Sequence, residues 1–237
     1  MTQLPDSVVL VTGANGGLGT EFVRQALDRG ARRVYATART PRTWDQDRVV
    51  PLALDVTDPA SVAAAAAAAP DTTVVINNAG ISAGPSLLDA SLDEVRAAYE
   101  TNVFGPIAVA QAFAPVLAKH GGGALVDVHS ALSWLARPGA YPSTKAALWS
   151  VTNTLRLELA GQGTQVVGAH LGYADTPMTA RLDVAKADPR DIVAAIYDGL
   201  EAGDQEVLAD DVSRWVKQNL SGPLAALYPD LAGQAQP

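Results

Sequence analysis

Tyr141 and Lys145 lie four residues apart in the segment YPSTK. On a helix that spacing puts both side chains on one face. A free phenol, with a pKa of about 10, is a poor acid at neutral pH, and a nearby cation favours phenolate and brings the value down. The pair is a candidate acid–base group for an oxygen that gains negative charge as its carbon accepts hydride.

A second candidate lies near the N-terminus. Residues 12–19 read TGANGGLG, follow the apolar run VVLVT and open a helical pattern. Strand, glycine turn and helix in that order suit a dinucleotide: Gly13 permits the tight turn, Gly17 lets backbone approach a pyrophosphate, and Gly19 lets helix and strand pack closely. The helix N-terminus favours an anion there. Asn15 and Leu18 belong to the same turn and count as cofactor-binding positions with it.

Strand two ends in TART, with Arg39 at its close. An acidic residue at that point would accept from the ribose 2′-hydroxyl of NAD and repel a 2′-phosphate, whereas a guanidinium pairs with phosphate. Arg39 therefore predicts NADP(H), with Thr37 and Thr40 as added hydroxyl donors and Arg42 close by.

These groups need a frame that brings distant segments together. Short apolar runs at 8–12, 34–37, 49–54, 73–77, 124–128, 165–171 and 206–209 read as strands. Helical patterns separate them, at 18–29, after Asp58-Pro59, after the Ser91/Glu94 capping box, at 106–119, at 142–159 and after Asp188-Pro189. Alternation of this kind implies parallel pairing and right-handed crossovers. The expected fold class is α/β, a doubly wound Rossmann-type parallel sheet of about seven strands with helices on both faces, in one domain over 1–237 with a loosely ordered tail from 221.

Composition narrows the partners. With a net charge of −8 the 237-residue chain has no basic field for nucleic acid. It has no cysteine, which removes disulfides and thiolate metal sites, and its three histidines fit no metal-ligand spacing. His129 and His170 adjoin strand ends and read as packing or polar satisfaction. No signal pattern opens the chain and no apolar run looks long enough to span a bilayer, so no membrane role and a cytoplasmic location are expected.

The glycine spacing is T-G-x-x-x-G-x-G, NNAG follows at 77–80, a serine stands after strand five at 130, and YPSTK comes next. In that order, from Val8 to about Leu208, the chain resembles the single-domain short-chain dehydrogenase/reductase family. The resemblance implies that Lys145 also holds the nicotinamide ribose and that Ser130 hydrogen-bonds the substrate oxygen. Asn102, in TNVFG, resembles an asparagine holding a water between lysine and solvent. Asp55 and Val56 would lie beside the adenine, Asn78, Ala79 and Gly80 beside the adenosine ribose, and Thr176 near the carboxamide. It further implies an NADPH-dependent carbonyl reductase or alcohol dehydrogenase for a small-molecule carbonyl or alcohol. By analogy it would be a homodimer or homotetramer joined through the helices carrying Asn102 and Tyr141.

The expected pocket walls, Ile81, Ser82, Trp134, Leu135, Tyr173 and Met178, are mostly apolar and suit a hydrophobic ketone, aldehyde or alcohol. Three features depart from the family. Only 11 positions separate Ser130 from Tyr141, a trimmed loop. Pro142 directly follows Tyr141, which predicts a helix starting at Pro142 with Tyr141 at its lip. Leu171-Gly172 replaces Pro-Gly after strand six, which predicts a less rigid backbone. The trimmed loop keeps open an alternative, a non-catalytic NADP(H)-binding sensor or regulatory protein on the same fold. A sugar-nucleotide epimerase would need a larger C-terminal substrate region than this chain holds.

Overall fold

The computed structural model describes residues 1–82, 84 and 86–229. Its strands are β1 (Val8–Thr12), β2 (Arg33–Ala38), β3 (Val49–Ala53), β4 (Val74–Asn77), β5 (Ala124–Val128), β6 (Gln165–His170) and β7 (Glu206–Leu208). They form one seven-stranded sheet in the order β3-β2-β1-β4-β5-β6-β7. Every pairing is parallel.

Successive strand residues face opposite sides of the sheet, and here both sides are covered. Val9 and Val11 pack with Phe22 and Val23 of α1 (Gly17–Asp28) and with Ile192, Ile196 and Leu200 of α6 (Pro189–Ala202). Val8 and Leu10 pack on the other face with Val62 of α2 (Pro59–Ala68) and with Val109, Phe113 and Leu117 of α4 (Gly105–Lys119). That is the doubly wound arrangement the alternation predicts.

Local chemistry sets the helix ends where the sequence places them. Asp58 accepts from Ala60 N with Pro59 in the first turn, and Ser91 with Glu94 completes a capping box at α3 (Leu92–Tyr99). The helix α5 (Tyr141–Glu158) begins one residue earlier than predicted. Pro142 sits in its first turn, where a missing N–H has no intrahelical acceptor to serve, so the ring does not stop the helix.

Two expectations need correction. α3, a π-helical turn at Glu100–Phe104 and α4 join into one 28-residue helical run, Leu92–Lys119, which holds an 18-residue stretch of mean hydropathy 1.3, enough to cross a membrane by length and composition. Half of that stretch is buried, and Val109, Phe113 and Leu117 account for the apolar face of the run beneath the sheet. The tail from Ser221 is ordered in part: α7 (Asp211–Asn219) is followed by α8 (Leu224–Leu227), and Leu227 packs with Leu135 and Val216. Residues 230–237 of that tail lie outside the described residues.

Candidate active site

The strand order reverses at β1, which pairs with β2 on one side and β4 on the other. A crevice opens beyond the carboxyl ends at such a switch point. The glycine turn leaves β1 there, and the residues just after β4 hold it in place. The Thr12 hydroxyl accepts from the backbone N–H groups of Asn78 and Ala79, both at 3.0 Å. The Asn78 amide donates to the carbonyls of Thr12 at 2.9 Å and Gly13 at 3.2 Å. Thr12 escapes a search for glycines, although it abuts them.

The turn has no room for side chains where it matters. A Cβ on Gly19 would stand 2.2 Å from the Gly13 carbonyl oxygen. Gly17 has a φ of +49°, and a Cβ there would meet Thr176 at 3.1 Å, so Thr176 lies against the turn. Gly16 caps α1 without a side-chain hydrogen bond, and the first turn carries no acid. A helix start left uncapped beside glycines is a fit for a pyrophosphate.

A cavity of about 810 Å³ extends from this turn, lined among others by Gly13, Asn15, Arg39, Asp55, Val56 and Gly80. Asn15 joins the turn to the end of β2, donating to Thr40 O at 2.8 Å. Hydrogen bonds from the Thr57 N–H and hydroxyl, with a smaller pull from Arg39, hold the Asp55 carboxyl below the usual carboxylate range. Arg42 stacks on Trp44, 4.0 Å from its ring centroid. Thr37 cannot serve as the added donor: it is fully buried and its hydroxyl donates to Val11 O at 3.0 Å, because its position in β2 turns it into the sheet. Leu18 packs against the α1 side of the core.

The second half of the site stands on β5, the π-helical turn and α5. Ser130 follows β5 and caps a short 3-10 turn at Ala131–Ser133, its hydroxyl accepting from Leu132 N at 3.1 Å. Burial pushes the Tyr141 phenol up to about 12, interaction with the Ser130 hydroxyl works against that rise, and Tyr173 adds to it.

Lys145 is only 5% exposed, and burial pulls its ammonium down to about 8. Its Nζ donates to Val128 O at 2.7 Å and lies 5.7 Å from the Tyr141 ring centroid. The expected lowering of the phenol by this cation is absent from the present arrangement: the ammonium is turned to β5 and the phenol is desolvated. Asn102 is fully buried in the π-helical turn. Its amide exchanges hydrogen bonds with the backbone of Ile81, both at 2.9 Å, and donates to the Thr144 hydroxyl at 3.0 Å. Asn102 thus ties the segment after β4 to α5.

Trp134 and Leu135 do not wall the pocket. Both are buried in a separate apolar cluster with Val216 and Leu227, and Trp134 stacks on His170 at 3.8 Å. The trimmed loop folds inward onto α7 and α8 instead of leaning over the crevice. Met178 is half exposed beside it in sequence-neighbouring Pro177–Thr179. The backbone at Leu171-Gly172 is held despite lacking proline: Leu171 O accepts from Ala131 N at 2.7 Å and Gly172 N donates to Asp210 at 2.6 Å. His129 and His170 stack at 4.7 Å, and His129 Nε2 pairs with the Thr152 hydroxyl at 3.0 Å, a packing and polar role as read. Asp127, which the sequence did not single out, is buried beneath them with Thr152 at 2.6 Å and Asn77 at 2.9 Å.

A phenol, a hydroxyl and a buried ammonium at the rim of a parallel sheet, beside a glycine turn fit for pyrophosphate, are the equipment of a Rossmann-type oxidoreductase. The chain belongs to the short-chain dehydrogenase family, whose model matches residues 7–187. It is therefore an oxidoreductase that works with a nicotinamide cofactor on CH–OH or C=O groups.

A short-chain dehydrogenase of Talaromyces islandicus is 36% identical over 180 residues, covering 71% of this chain and 63% of the relative, so this chain spans less than two thirds of that protein. An uncharacterized oxidoreductase of Staphylococcus aureus (strain N315) is 30% identical over 211 residues, 83% of this chain and 91% of the relative. Among solved structures, a short chain dehydrogenase from Burkholderia cenocepacia J2315 in complex with NADP superposes with a TM-score of 0.91 at 36% identity, covering 97% of this chain and 99% of that one. One from Burkholderia phymatum in complex with NAD has a TM-score of 0.82 at 21% identity over 100% and 98% of the two chains, a likeness of fold.

Proposed function

We propose that the protein is an NADPH-dependent carbonyl reductase or alcohol dehydrogenase for a hydrophobic ketone, aldehyde or alcohol. The observation that carries the cofactor choice is Arg39, exposed on the cavity at the end of β2 where an acid would select NAD. Gly13, Asn15, Gly17, Leu18 and Gly19 form the phosphate turn. Asp55 and Val56 take the adenine end, Asn78, Ala79 and Gly80 the ribose, and Thr176 the carboxamide. The Burkholderia cenocepacia relative in complex with NADP supports the choice.

The chemistry a nicotinamide would supply there is hydride transfer to or from the carbonyl carbon. Tyr141 gives the proton to the carbonyl oxygen and Ser130 hydrogen-bonds that oxygen while charge builds. Lys145 would hold the nicotinamide ribose, and its ammonium, on the same helix as Tyr141, would favour the phenolate. Asn102 would hold a water that links the lysine to solvent. The non-catalytic alternative rests on the trimmed loop alone, and the interaction of the Ser130 hydroxyl with the Tyr141 phenol speaks for the catalytic reading.

On this reading the protein acts on a small molecule, without nucleic acid or membrane, in the cytoplasm. We read it as a homodimer or homotetramer. Exposed Phe104 and Leu157, on the Asn102 turn and on α5, support that assembly. Initial rates of NADPH and NADH oxidation against aryl and cyclic ketones and aldehydes test the activity. Substrate-dependent loss of NADPH, faster than of NADH, is expected; tight NADPH binding with no turnover of any carbonyl would revive the non-catalytic reading.

A further inference from the structure

Three aromatic rings stand in one column beside Ser130. His129 stacks on His170 at 4.7 Å, and Trp134 covers the other face of His170 at 3.8 Å. Each end of the column is tied down. His129 Nε2 meets the Thr152 hydroxyl of α5, which donates to buried Asp127. Lys217 of α7 lies 4.6 Å over the Trp134 ring and pairs with Glu206 at 2.7 Å. Gly168 of β6 gives the imidazoles their space, since a Cβ there would stand 3.2 Å from the His129 ring.

The middle ring points at the candidate active site. His170 Nδ1 lies 3.3 Å from the Ser130 carbonyl oxygen, and its Nε2 is 3.8 Å from Glu206, beyond hydrogen-bond reach. Burial, and secondarily the ammonium of Lys217, pushes the imidazolium form down to about 3, so the ring is neutral with one N–H to place. The Ser130 carbonyl can only accept, which puts that proton on Nδ1. The flanking bonds, His129 N to Ala169 O and Ala131 N to Leu171 O at 2.7 Å each, fix the chain on both sides of Ser130 to β6. His170 holds the residue between them.

We propose that His170 is a positioning residue for Ser130: clamped between His129 and Trp134, it donates from Nδ1 to the Ser130 carbonyl and so sets where the serine hydroxyl stands relative to Tyr141. This rests on Ser130 being the group that holds the substrate oxygen. In a loop this short, with Trp134 folded inward, the ring column takes over the support that a longer loop would give itself. Small displacements of such a hydroxyl cost rate more than binding.

The test is a kinetic cycle on the full chain with NADPH and a reducible ketone. His170→Phe keeps the ring column and removes the donor; kcat is expected to fall about tenfold or more while the Kd for NADPH stays unchanged. His170→Asn, whose amide can place an N–H where Nδ1 stands, is expected to recover most of the lost kcat. In a Ser130→Ala background His170→Phe is expected to do nothing further. Wild-type kcat in His170→Phe overturns the proposal, as does a loss that multiplies with that of Ser130→Ala. Wild-type kcat in Ser130→Ala fails the reading of Ser130 itself and takes the proposal with it, an outcome distinct from the other two. If His170→Phe does not fold, Trp134→Leu, which removes the stack pressing the imidazole to Ser130, replaces it in the same cycle with the same criteria.

Discussion

Lys145 and Tyr141 share the first turns of α5, yet the ammonium serves β5: Nζ donates to Val128 O at 2.7 Å and stays 5.7 Å from the centre of the phenol ring. The pair that looks like a catalytic couple in sequence is, in this arrangement, a half-buried phenol and a buried ammonium, each held in the wrong state for the other. Burial has raised the phenol to about 12 and lowered the ammonium to about 8. Such displaced values are common where a site pays in stability for readiness to react.

A stability prediction follows from the lysine. A folded pKa near 8 against 10.5 means that a charge is held at neutral pH where it is disfavoured, at a cost of about 3 kcal/mol. Between those two values the unfolded chain binds the extra proton, so this cost fades as pH rises from 8 to 10.5 and is absent above. Lys145→Met is therefore expected to be more stable than wild type at pH 7 by about 1–2 kcal/mol, after about 1 kcal/mol for the Val128 carbonyl left without its donor. By pH 10 the advantage should be mostly gone. Urea denaturation of both proteins at the two pH values reads the difference; an advantage independent of pH would show that the lysine charge is not its source. The same variant should lose carbonyl reduction by about a hundredfold or more.

Tyr141→Phe removes the proposed acid and keeps the ring. NADPH binding should be retained while kcat for carbonyl reduction falls by about 10² or more. Fluorescence titration of NADPH beside steady-state rates separates the two. Near-normal turnover would sink the assignment of Tyr141.

Arg39→Asp reverses the charge at the proposed 2′-phosphate position. NADPH affinity should fall by about tenfold to a hundredfold, the range of a charge-assisted pair, with NADH affinity little changed. An unaltered ratio of the two dissociation constants would remove Arg39 from the phosphate site and leave Arg42, stacked on Trp44, as the cation to examine.

How much of this was legible beforehand differs by kind of feature. Strand and helix order could be read because apolar runs, caps and glycines report local structure, as with Asp58, Ser91 and Gly19. The candidate site residues could be named because their spacing carries them. What stayed hidden is what depends on facing and on distant partners. Thr37 turns inward because of its parity in β2, and Trp134 leaves the crevice because α7 and α8 offer it an apolar bed. Lys145 finds an acceptor 17 residues away, and Asp127 meets Thr152 across 25. No pattern along the chain records such meetings.

The glycine turn allows a closing comparison between two alanine substitutions three residues apart. At Gly19 a Cβ would be 2.2 Å from the Gly13 carbonyl oxygen and 2.9 Å from Ala14 Cα. Both are backbone atoms of the turn itself, so Gly19→Ala must open it or push α1 off β1. At Gly16 a Cβ would meet nothing within 4 Å, and the backbone at φ −146° and ψ 165° is ordinary extended geometry for any residue. Gly16→Ala should leave the melting temperature within about 2 °C of wild type, as an unstrained surface change does. Gly19→Ala should lower it by about 5 °C or more and abolish NADPH binding, because the N–H groups at the start of α1 no longer converge. Melting curves with and without NADPH measure both effects. A Gly19→Ala protein that still gains thermal stability from NADPH as wild type does would mean that the cofactor's phosphates rest elsewhere than on this turn.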